Sequence, residues 1–278
     1  MSRGVKSDSV ETRQVKIQRV AKGESTHVVD FVASEEPLGI SINYWEKGRS
    51  VQRDLSITMR TPGDDENLAI GFLYSEGFID SIHSIEKIEA KDNRIHLDLS
   101  KEVDLSEKKF KRNFFSTSSC GVCGKAELEA LNLSDCRPIN DELIVTADVI
   151  DCLDEKMFER QNAFSETGGI HACGLFSATG DLISLKEDIG RHNALDKLIG
   201  GQISSGAFPF TGKILLLSGR VGYEMAQKSA KAGVSLVVAI GAPSSLAVEI
   251  LDTFGITLVG FLRPNQFNIY THPKRIAG

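Results

Sequence analysis

Residues 213–264 read KILLLSGRVGYEMAQKSAKAGVSLVVAIGAPSSLAVEILDTFGITLVGFLRP, and this stretch decides the fold class. Its apolar runs ILLL, LVVAI and ITLVGFL are separated by YEMAQKSAKAG and SLAVEILDTFG, which show the periodicity of helices. Continuous apolar strands that alternate with helices are typical of parallel strands buried on both faces. The sequence therefore predicts a β-α-β-α-β unit in an α/β protein.

Strands, hairpins and further helices are predicted upstream of this unit. Extended patterns predict strands over 27–33, 38–45 and 51–59, followed by an amphipathic helix over 66–78 that Asp64 or Asp65 caps. The remaining predicted elements are hairpins that turn at Lys91–Asn93 and Thr179–Asp181, and helices over 124–133, over 147–164 with Thr146 as cap, and over 191–204.

The predicted organisation has three parts. Residues 1–24 lack periodicity and are expected to form a flexible arm. Residues 25–113 form a smaller, strand-rich α+β part. Residues 114–278 form a layered α/β domain with a mainly parallel sheet, and this domain carries a serine-rich loop with the motif CGVCG.

Composition excludes several classes of protein. The chain has 278 residues, of which 41% are hydrophobic and 25% charged, values that are ordinary for a globular protein. Its net charge of −6 disfavours nucleic acid as a partner. The longest apolar stretch, Val234–Ala242, is about half of what a membrane span requires, and the polar start lacks a signal-peptide core. We expect a cytoplasmic protein without a membrane segment.

The pair Cys120 and Cys123 is the sharpest chemical signal. A C-x-x-C that leads into a helix favours thiolates, because the free amides and Lys125 stabilise negative charge. Sulfur or redox chemistry is one interpretation, half of a zinc site is a second, and inert cysteines are a third. We expect the loop to sample several positions, and Cys120 to react with iodoacetamide faster than Cys136 or Cys152.

A metal site would need further ligands. His171 and Cys173 could complete one with the pair, but H-x-C on an alternating strand is awkward spacing and no second C-x-x-C exists. The H-x-E of zinc deaminases is absent, as are G-x-G and the phosphate-binding G-x-x-x-x-G-K-[ST]. We therefore predict no metal.

Three predicted strand ends suggest a ligand site. Segments 218–222, 241–245 and 260–266 follow successive strands of the unit, and ligands of open parallel sheets bind at that edge. Arg220 and Arg263 could fork onto phosphate groups. The alternative is that the small residues in these segments only make tight turns.

A dense run of polar residues covers 187–197. His192 and Asp196 are four residues apart on one predicted helix, so the carboxylate could orient the imidazole for acid-base work or for ligand binding. The alternative is that Asp188 caps the helix and that the other charges form a solvated ion-pair network.

Longer motifs occur in order between Thr61 and Thr271. They are TPGDDENLAIGFLYSEGFI (61–79), STSSCGVCGKAELEAL (116–131), TGGIHACGLF (167–176), LKEDIGRHNALDKLIG (185–200), SGRVGYEMAQKSAKAG (218–233) and ITLVGFLRPNQFNIYT (256–271). On these motifs the sequence resembles the formate dehydrogenase accessory sulfurtransferase family, FdhD. The resemblance implies a cytidine-deaminase-like fold, a homodimer, and a sulfur carrier between a cysteine desulfurase and the molybdenum bis(molybdopterin guanine dinucleotide) cofactor of formate dehydrogenase.

The resemblance also implies roles for individual residues. Cys120 corresponds to the persulfide carrier and Cys123 to its partner, while Cys173 departs from the family pattern and could supply a third thiol. GDP is expected to mimic the guanine nucleotide of the cofactor. A zinc-stabilised cofactor chaperone and a thiol–disulfide oxidoreductase remain alternatives. The predicted cofactor-binding residues are Phe261, Leu262, Arg263, Pro264, Asn265, Gln266, Ser218, Gly219, Arg220 and His192.

Overall fold

The computed structural model describes residues 10–105, 133 and 136–277. Its strands are β1 (Thr12–Ala21), β2 (Glu24–Ala33), β3 (Glu36–Glu46), β4 (Arg49–Arg60), β5 (Ile85–Lys91), β6 (Arg94–Leu99), β7 (Val145–Thr146), β8 (His171–Phe176), β9 (Leu182–Asp188), β10 (Ile214–Leu217), β11 (Leu236–Ala239), β12 (Thr257–Arg263), β13 (Gln266–Thr271) and β14 (Ile276–Ala277). Its α-helices are α1 (Asp65–Ser75), α2 (Ala147–Asp151), α3 (Leu153–Phe158), α4 (Asn162–Thr167), α5 (Arg191–Ser204), α6 (Tyr223–Lys231) and α7 (Ser245–Thr253).

The predicted β-α-β-α-β unit forms the centre of a six-stranded sheet. The sheet has the order β13-β12-β11-β10-β8-β9, and β10, β11 and β12 are parallel as predicted. The prediction of a mainly parallel sheet is wrong, because the β8–β9 hairpin on one side and β13 on the other join by antiparallel pairing. Two of the five strand pairs in this mixed sheet are therefore parallel.

The central sheet is buried on both faces. Along β10, Leu215 and Leu217 belong to one apolar core, whereas Ile214 and Leu216 belong to a second. The first core includes apolar side chains of α1, α5, α6 and α7, and the second includes those of α2 and α3. Alternate side chains of a strand point to opposite faces, so helices cover both sides of the sheet.

The N-terminal part contains a four-stranded sheet and a separate ribbon. The sheet has the order β4-β3-β6-β5, and the predicted strands and the hairpin at Asp92–Asn93 are confirmed. Residues 12–21, expected as part of a flexible arm, form β1, which pairs along its whole length with β2. The apolar alternation in β1 is short, since only Val15 and Ile17 alternate with polar residues on one face, and this weak signal is why the sequence missed the strand.

A bulge interrupts the pairing of β3 with β4. Ile40 pairs with Ser56 while Ser41 pairs with Asp54, so Leu55 is the extra residue. In a regular strand Leu55 and Ile57 would face the same side, but Leu55 is buried and Ile57 is 78% exposed. The bulge therefore reverses which alternate side chains of β4 point inward.

Helices α1 and α5 join the N-terminal part to the central sheet. They cross at Gly71 and Gly200, where a Cβ on Gly200 would lie 2.8 Å from Gly71 N and would overlap the Asn67 carbonyl. Glycine removes the side chain that would otherwise hold the two backbones apart. The crossing places α1 directly against the helix that carries His192.

Several predicted helix ends differ in the structure. Asp64 occupies the N-cap of α1 with a left-handed φ of 58°, and its carboxylate makes no capping bond. Asp65 instead accepts from Arg60 at 2.8 and 2.9 Å. The predicted helix over 147–164 is broken into α2, α3 and the start of α4, and Thr146 does not cap it through its side chain.

The CGVCG motif and residues 124–132 of the helix predicted to follow it lie outside the described residues. Cys120 and Cys123 therefore keep the roles that the sequence predicts, without a structural test. Among the helices that are described, none is long and apolar enough to cross a membrane.

Candidate functional site

The three predicted strand-end segments meet at one edge of the central sheet. Val221 forms a bridge with Pro243, and the Gly241 amide donates to the Gly219 carbonyl at 3.2 Å. The Phe261 amide in turn donates to the Gly241 carbonyl at 3.2 Å. The sequence therefore placed these segments correctly beside one another.

Small residues in these segments are needed for packing between the segments themselves. A Cβ on Gly241 would lie 2.8 Å from the backbone of both Gly219 and Arg220. A Cβ on Gly260 would lie 3.0 Å from the side chains of Pro243 and Tyr270. Gly241 and Gly260 are thus explained by close contact between the segments, which differs from the tight turns that were the alternative in the sequence.

Residues 261–266 form a hairpin instead of an open loop. Strand β12 continues to Arg263, and Pro264–Asn265 makes the turn into β13. Phe261 has a φ of 57° and a 42% exposed side chain. Arg263 lies beside the neighbouring strand end, where its Nη1 donates to the carbonyl of Ile240 at 2.9 Å. Leu262 is buried, whereas Arg220 and Gln266 are exposed.

A cleft of about 590 Å³ opens next to this edge. Its volume is within the range of about 300–1,000 Å³ that is usual for small-molecule sites. Two strand-end residues, Ser218 and Ile240, form part of its wall. The other lining residues are Asp154, Phe158, Gln161, Phe164, Gly168, Gly169, Ile170, His171 and Ile189.

Ser218 and His171 form a polar pair on the wall of the cleft. Ser218 Oγ accepts the Ala172 amide at 2.9 Å and lies 3.2 Å from Nδ1 of His171. The hydroxyl can therefore donate its own hydrogen to Nδ1, which favours the tautomer protonated at Nε2. Burial and the nearby Arg191 guanidinium lower the pKa of His171, so the ring is neutral at pH 7.

His192 has a different partner from the one predicted. Its Nε2 lies 3.1 Å from the carboxylate of Glu224, whereas the Asp196 carboxylate accepts from Lys228 at 2.7 and 2.8 Å. Burial, Arg191 and Lys228 lower the pKa of His192 to about 4 despite the Glu224 contact. The ring is therefore neutral near pH 7 and forms no ion pair with Glu224.

The charges around α5 are buried, not solvated. Lys197 Nζ lies 2.8 Å from Asp188 Oδ2, and these side chains are 3% and 0% exposed. Asp188 also accepts the amides of Gly190 and Thr61. Asp188 thus binds the amide of the N-cap residue Gly190 but makes no capping bond to the first turn of α5, so the predicted cap is wrong. It belongs instead to a buried network that links α5 to the end of β4.

The described cysteines offer no reactive thiol at the cleft. Cys173 is buried, and burial raises the pKa of its thiol well above the ordinary value. It is therefore a poor candidate for the third thiol that the sequence suggested. Cys152 is exposed and Cys136 is partly buried. No group of three His, Cys, Asp or Glu side chains within residues 10–105, 133 and 136–277 could hold a metal ion.

Sequence reasoning missed the side chains that build the cleft. Asp154, Phe158 and Phe164 fell within a stretch interpreted as one helix. Helix α3 ends at Phe158 and α4 begins at Asn162, so Phe158 and Phe164 reach the cleft from two separate helices. The apolar pattern carried no signal for that break.

Comparison with known proteins gives consistent matches over nearly the whole chain. A family model described as FdhD/NarQ family matches residues 33–277. A Sulfolobus acidocaldarius protein named sulfur carrier protein FdhD is 46% identical over 272 residues, covering 96% of this chain and 99% of that protein. A Streptomyces avermitilis protein with the same name is 38% identical, with 96% of each chain covered.

A solved structure has the same fold. A Desulfotalea psychrophila protein named for a formate dehydrogenase accessory role superposes with a TM-score of 0.75, covering 96% of this chain and 100% of that one. The two sequences are 24% identical. The likeness shows the shared architecture.

Proposed function

Because this chain belongs to the FdhD/NarQ family, we propose that it is a sulfur carrier that delivers sulfur to the molybdenum bis(molybdopterin guanine dinucleotide) cofactor of formate dehydrogenase. The observation that carries the proposal is the match to a protein named sulfur carrier protein FdhD, 46% identical over 96% of this chain. The cytidine-deaminase-like type of the α/β fold, the homodimer and the cytoplasmic location belong to the same proposal. Sedimentation at micromolar concentration tests the homodimer.

Sulfur loading requires a thiolate on Cys120. A cysteine desulfurase carries the donor sulfur as a persulfide, and the Cys120 thiolate attacks the terminal sulfur of that persulfide. The bond between the two desulfurase sulfurs breaks, a new sulfur–sulfur bond forms on Cys120, and the desulfurase cysteine leaves as a thiolate. No electrons are gained or lost overall, so this step needs no further reactant.

Sulfur delivery uses Cys123 as the resolving thiol. Its thiolate attacks the Cys120 sulfur, a disulfide forms between the two cysteines, and the terminal sulfur leaves as sulfide for the molybdenum of the client cofactor. The two electrons that reduce the transferred sulfur come from the two protein sulfurs. A cellular dithiol then reduces the disulfide before the next round.

The cleft and Arg263 support a site for the client cofactor. The guanidinium lies at the rim of the cleft through its bond to Ile240. A cation at this position can attract the diphosphate of a nucleotide, and Arg is suited to phosphate because of its fork of donors.

The test is intact-mass analysis after incubation with a cysteine desulfurase and cysteine. Wild-type protein should gain the mass of one sulfur atom, and Cys120→Ala should gain none and fail to activate formate dehydrogenase. Cys152→Ser is the matched control, because it removes an exposed thiol outside the motif. Full activation of formate dehydrogenase by Cys120→Ala would refute the proposal.

The two alternatives give different results in the same preparation. A zinc-stabilised chaperone would contain stoichiometric zinc that is lost in Cys120→Ser. A thiol–disulfide oxidoreductase would reduce the disulfides of insulin without a desulfurase.

A further inference from the structure

Strand β9 leaves one edge of the central sheet unpaired. It is the last strand in the order β13-β12-β11-β10-β8-β9, and β8 is its only partner strand among the described residues. A groove of about 570 Å³ runs along this edge, and its lining includes the consecutive residues 182–187. Four residues of a β-strand occupy about 650 Å³, since strands lie about 4.8 Å apart and layers about 10 Å apart. The groove therefore has the size of one short strand.

The direction in which β9 offers its backbone groups follows from its neighbour β8. Ala172 of β8 bonds to Ser218 through its N–H, at 2.9 Å, and through its carbonyl, at 3.0 Å, so its backbone faces away from β9. Glu187 is the residue of β9 opposite Ala172. Bonded and non-bonded pairs alternate along an antiparallel ladder. The backbones of Glu187 and, two residues earlier, Leu185 therefore face the groove.

Three of these backbone groups have no partner within the described residues. The Glu187 carbonyl accepts from Lys197 Nζ at 3.4 Å, but the Glu187 N–H and both polar backbone groups of Leu185 are unbonded there. Unpaired groups at the edge of a sheet are a template for a further strand. A strand added antiparallel to β9 would form two hydrogen bonds with Leu185 and one with the Glu187 N–H.

The groove has walls on both faces of the sheet. The Lys186 side chain lies on the α1 side, where it forms an ion pair with Asp64, and Gly63 lies beside that pair in the lining. The opposite wall is the connection 159–162 between α3 and α4, together with Glu11. An added strand would thus be covered on both faces, and the α1 wall would meet it with balanced charge.

The wall formed by the α3–α4 connection is acidic. Leu185 packs against the core that contains α2 and α3, and the Glu187 carboxylate accepts the first amides of α4 at 3.1 and 2.9 Å, so both side chains lie on this face. Glu11, Glu159 and Arg160 are exposed in the same wall. Three carboxylates therefore stand against one guanidinium.

We propose that β9 receives an extended, basic segment of a partner protein as a seventh, antiparallel strand of the central sheet. Directly opposed residues of an antiparallel pair share a face, so the residues that bond to β9 point their side chains to the same face as Leu185 and Glu187. Those side chains meet the acidic wall, where lysine or arginine is complementary. The intervening residues face Ser184 and Lys186, and β-branched residues suit these positions.

Fluorescence anisotropy with labelled, end-blocked octapeptides tests the strand and its register. A peptide of alternating lysine and valine should bind about tenfold or more tightly than the same peptide with glutamate in place of lysine. N-methylation of the lysine amides should abolish binding because it removes the donors that face β9, whereas N-methylation of the valine amides should not, since these point away from β9. The proposal is overturned if the lysine peptide does not bind, if the glutamate peptide binds equally well, or if both methylated peptides lose binding equally.

Charge reversal in the acidic wall is the complementary test. Glu159→Lys should weaken binding of the lysine peptide and strengthen binding of the glutamate peptide, and that gain cannot come from a misfolded protein. Glu155→Lys is the matched control, because Glu155 is exposed about one turn earlier in α3 and does not line the groove. Equal effects of the two variants would contradict the role of the wall.

Two other occupants would give different results. If a second copy of this chain filled the groove, the lysine peptide would dissociate the oligomer in sedimentation. If residues 1–9, which precede Glu11 by one residue, filled it, their removal would raise the affinity for the lysine peptide about tenfold or more. Either result would overturn the assignment to a partner protein. For a partner segment, we expect both the sedimentation coefficient and the affinity of the shortened chain to stay unchanged.

Discussion

Replacing Gly200 by alanine should destabilise the fold strongly, because the α1–α5 crossing has no space for a methyl group. A Cβ there would lie 2.8 Å from both the Asn67 carbonyl carbon and Gly71 N, and it would overlap the Asn67 oxygen. These are backbone atoms, so no change of rotamer can relieve the overlap and one helix must move. Gly201 is the matched control in the same helix, since a Cβ there meets nothing closer than 3.6 Å.

The expected free energies follow from two opposing effects. Alanine is favoured over glycine inside a helix by about 1 kcal/mol, and this gain applies to both variants. Overpacking costs about 1–3 kcal/mol where side chains can adjust, and we expect at least the upper value where backbones must separate. Gly201→Ala should therefore be up to about 1 kcal/mol more stable than wild type, and Gly200→Ala about 2 kcal/mol less stable.

Urea unfolding followed by far-ultraviolet circular dichroism measures both changes. The midpoint should fall for Gly200→Ala and rise slightly for Gly201→Ala, with the same slope in both. A Gly200→Ala variant as stable as Gly201→Ala would contradict the steric overlap at the crossing. Equal stability would mean that the two helices can separate without cost.

Three further predictions concern buried groups near the site. Lys197→Met leaves the Asp188 carboxylate buried without its cation, so the free energy of unfolding should fall by about 3–5 kcal/mol. A loss below about 1 kcal/mol in a urea titration would contradict this. Iodoacetamide should modify Cys152 in the native protein and Cys173 only after unfolding. Peptide mapping that finds both cysteines modified in the native protein would contradict the burial of Cys173. The pKa of His192 is about 4 in the folded protein and about 6.5 in an unfolded chain, so the unfolded chain binds the proton first as pH falls. The free energy of unfolding should therefore decline as pH falls from about 6.5 to about 4. An NMR titration midpoint of His192 above 6.5 would be incompatible with this expectation.

The parts of the fold that depend on local pattern could be predicted from the sequence. The apolar runs of β10, β11 and β12 and the helices between them carry their own periodicity, and their parallel pairing follows from the crossover helices. The position of the β8–β9 hairpin against β10 depends on contacts that are distant along the chain. No local signal specified it, and the sheet is more antiparallel than expected for that reason.

Partners of charged side chains were less predictable than the elements that carry them. The four-residue spacing suggested that Asp196 pairs with His192, but Lys228 of α6 reaches Asp196 in the folded protein. A cation with a full charge binds a buried carboxylate more strongly than a neutral imidazole does. The cleft was missed for a similar reason, because Asp154 and Phe158 line it together with Ser218 and Ile240, which are distant along the chain.

Because of the bulge in β4, the fold should tolerate a change of residue type in that strand better than a change in its number of residues. Because Leu55 is the extra residue, Thr58 and Arg60 face inward, where Thr58 donates to Asn193 at 3.1 Å and Arg60 to Asp65. Deleting one residue after the bulge would turn both inward side chains to solvent and bring their apolar neighbours into the polar contacts around α5. Substitutions at Ile57 should therefore be tolerated, whereas any single insertion or deletion between Leu55 and Arg60 should disconnect the N-terminal sheet from the helix that borders the site.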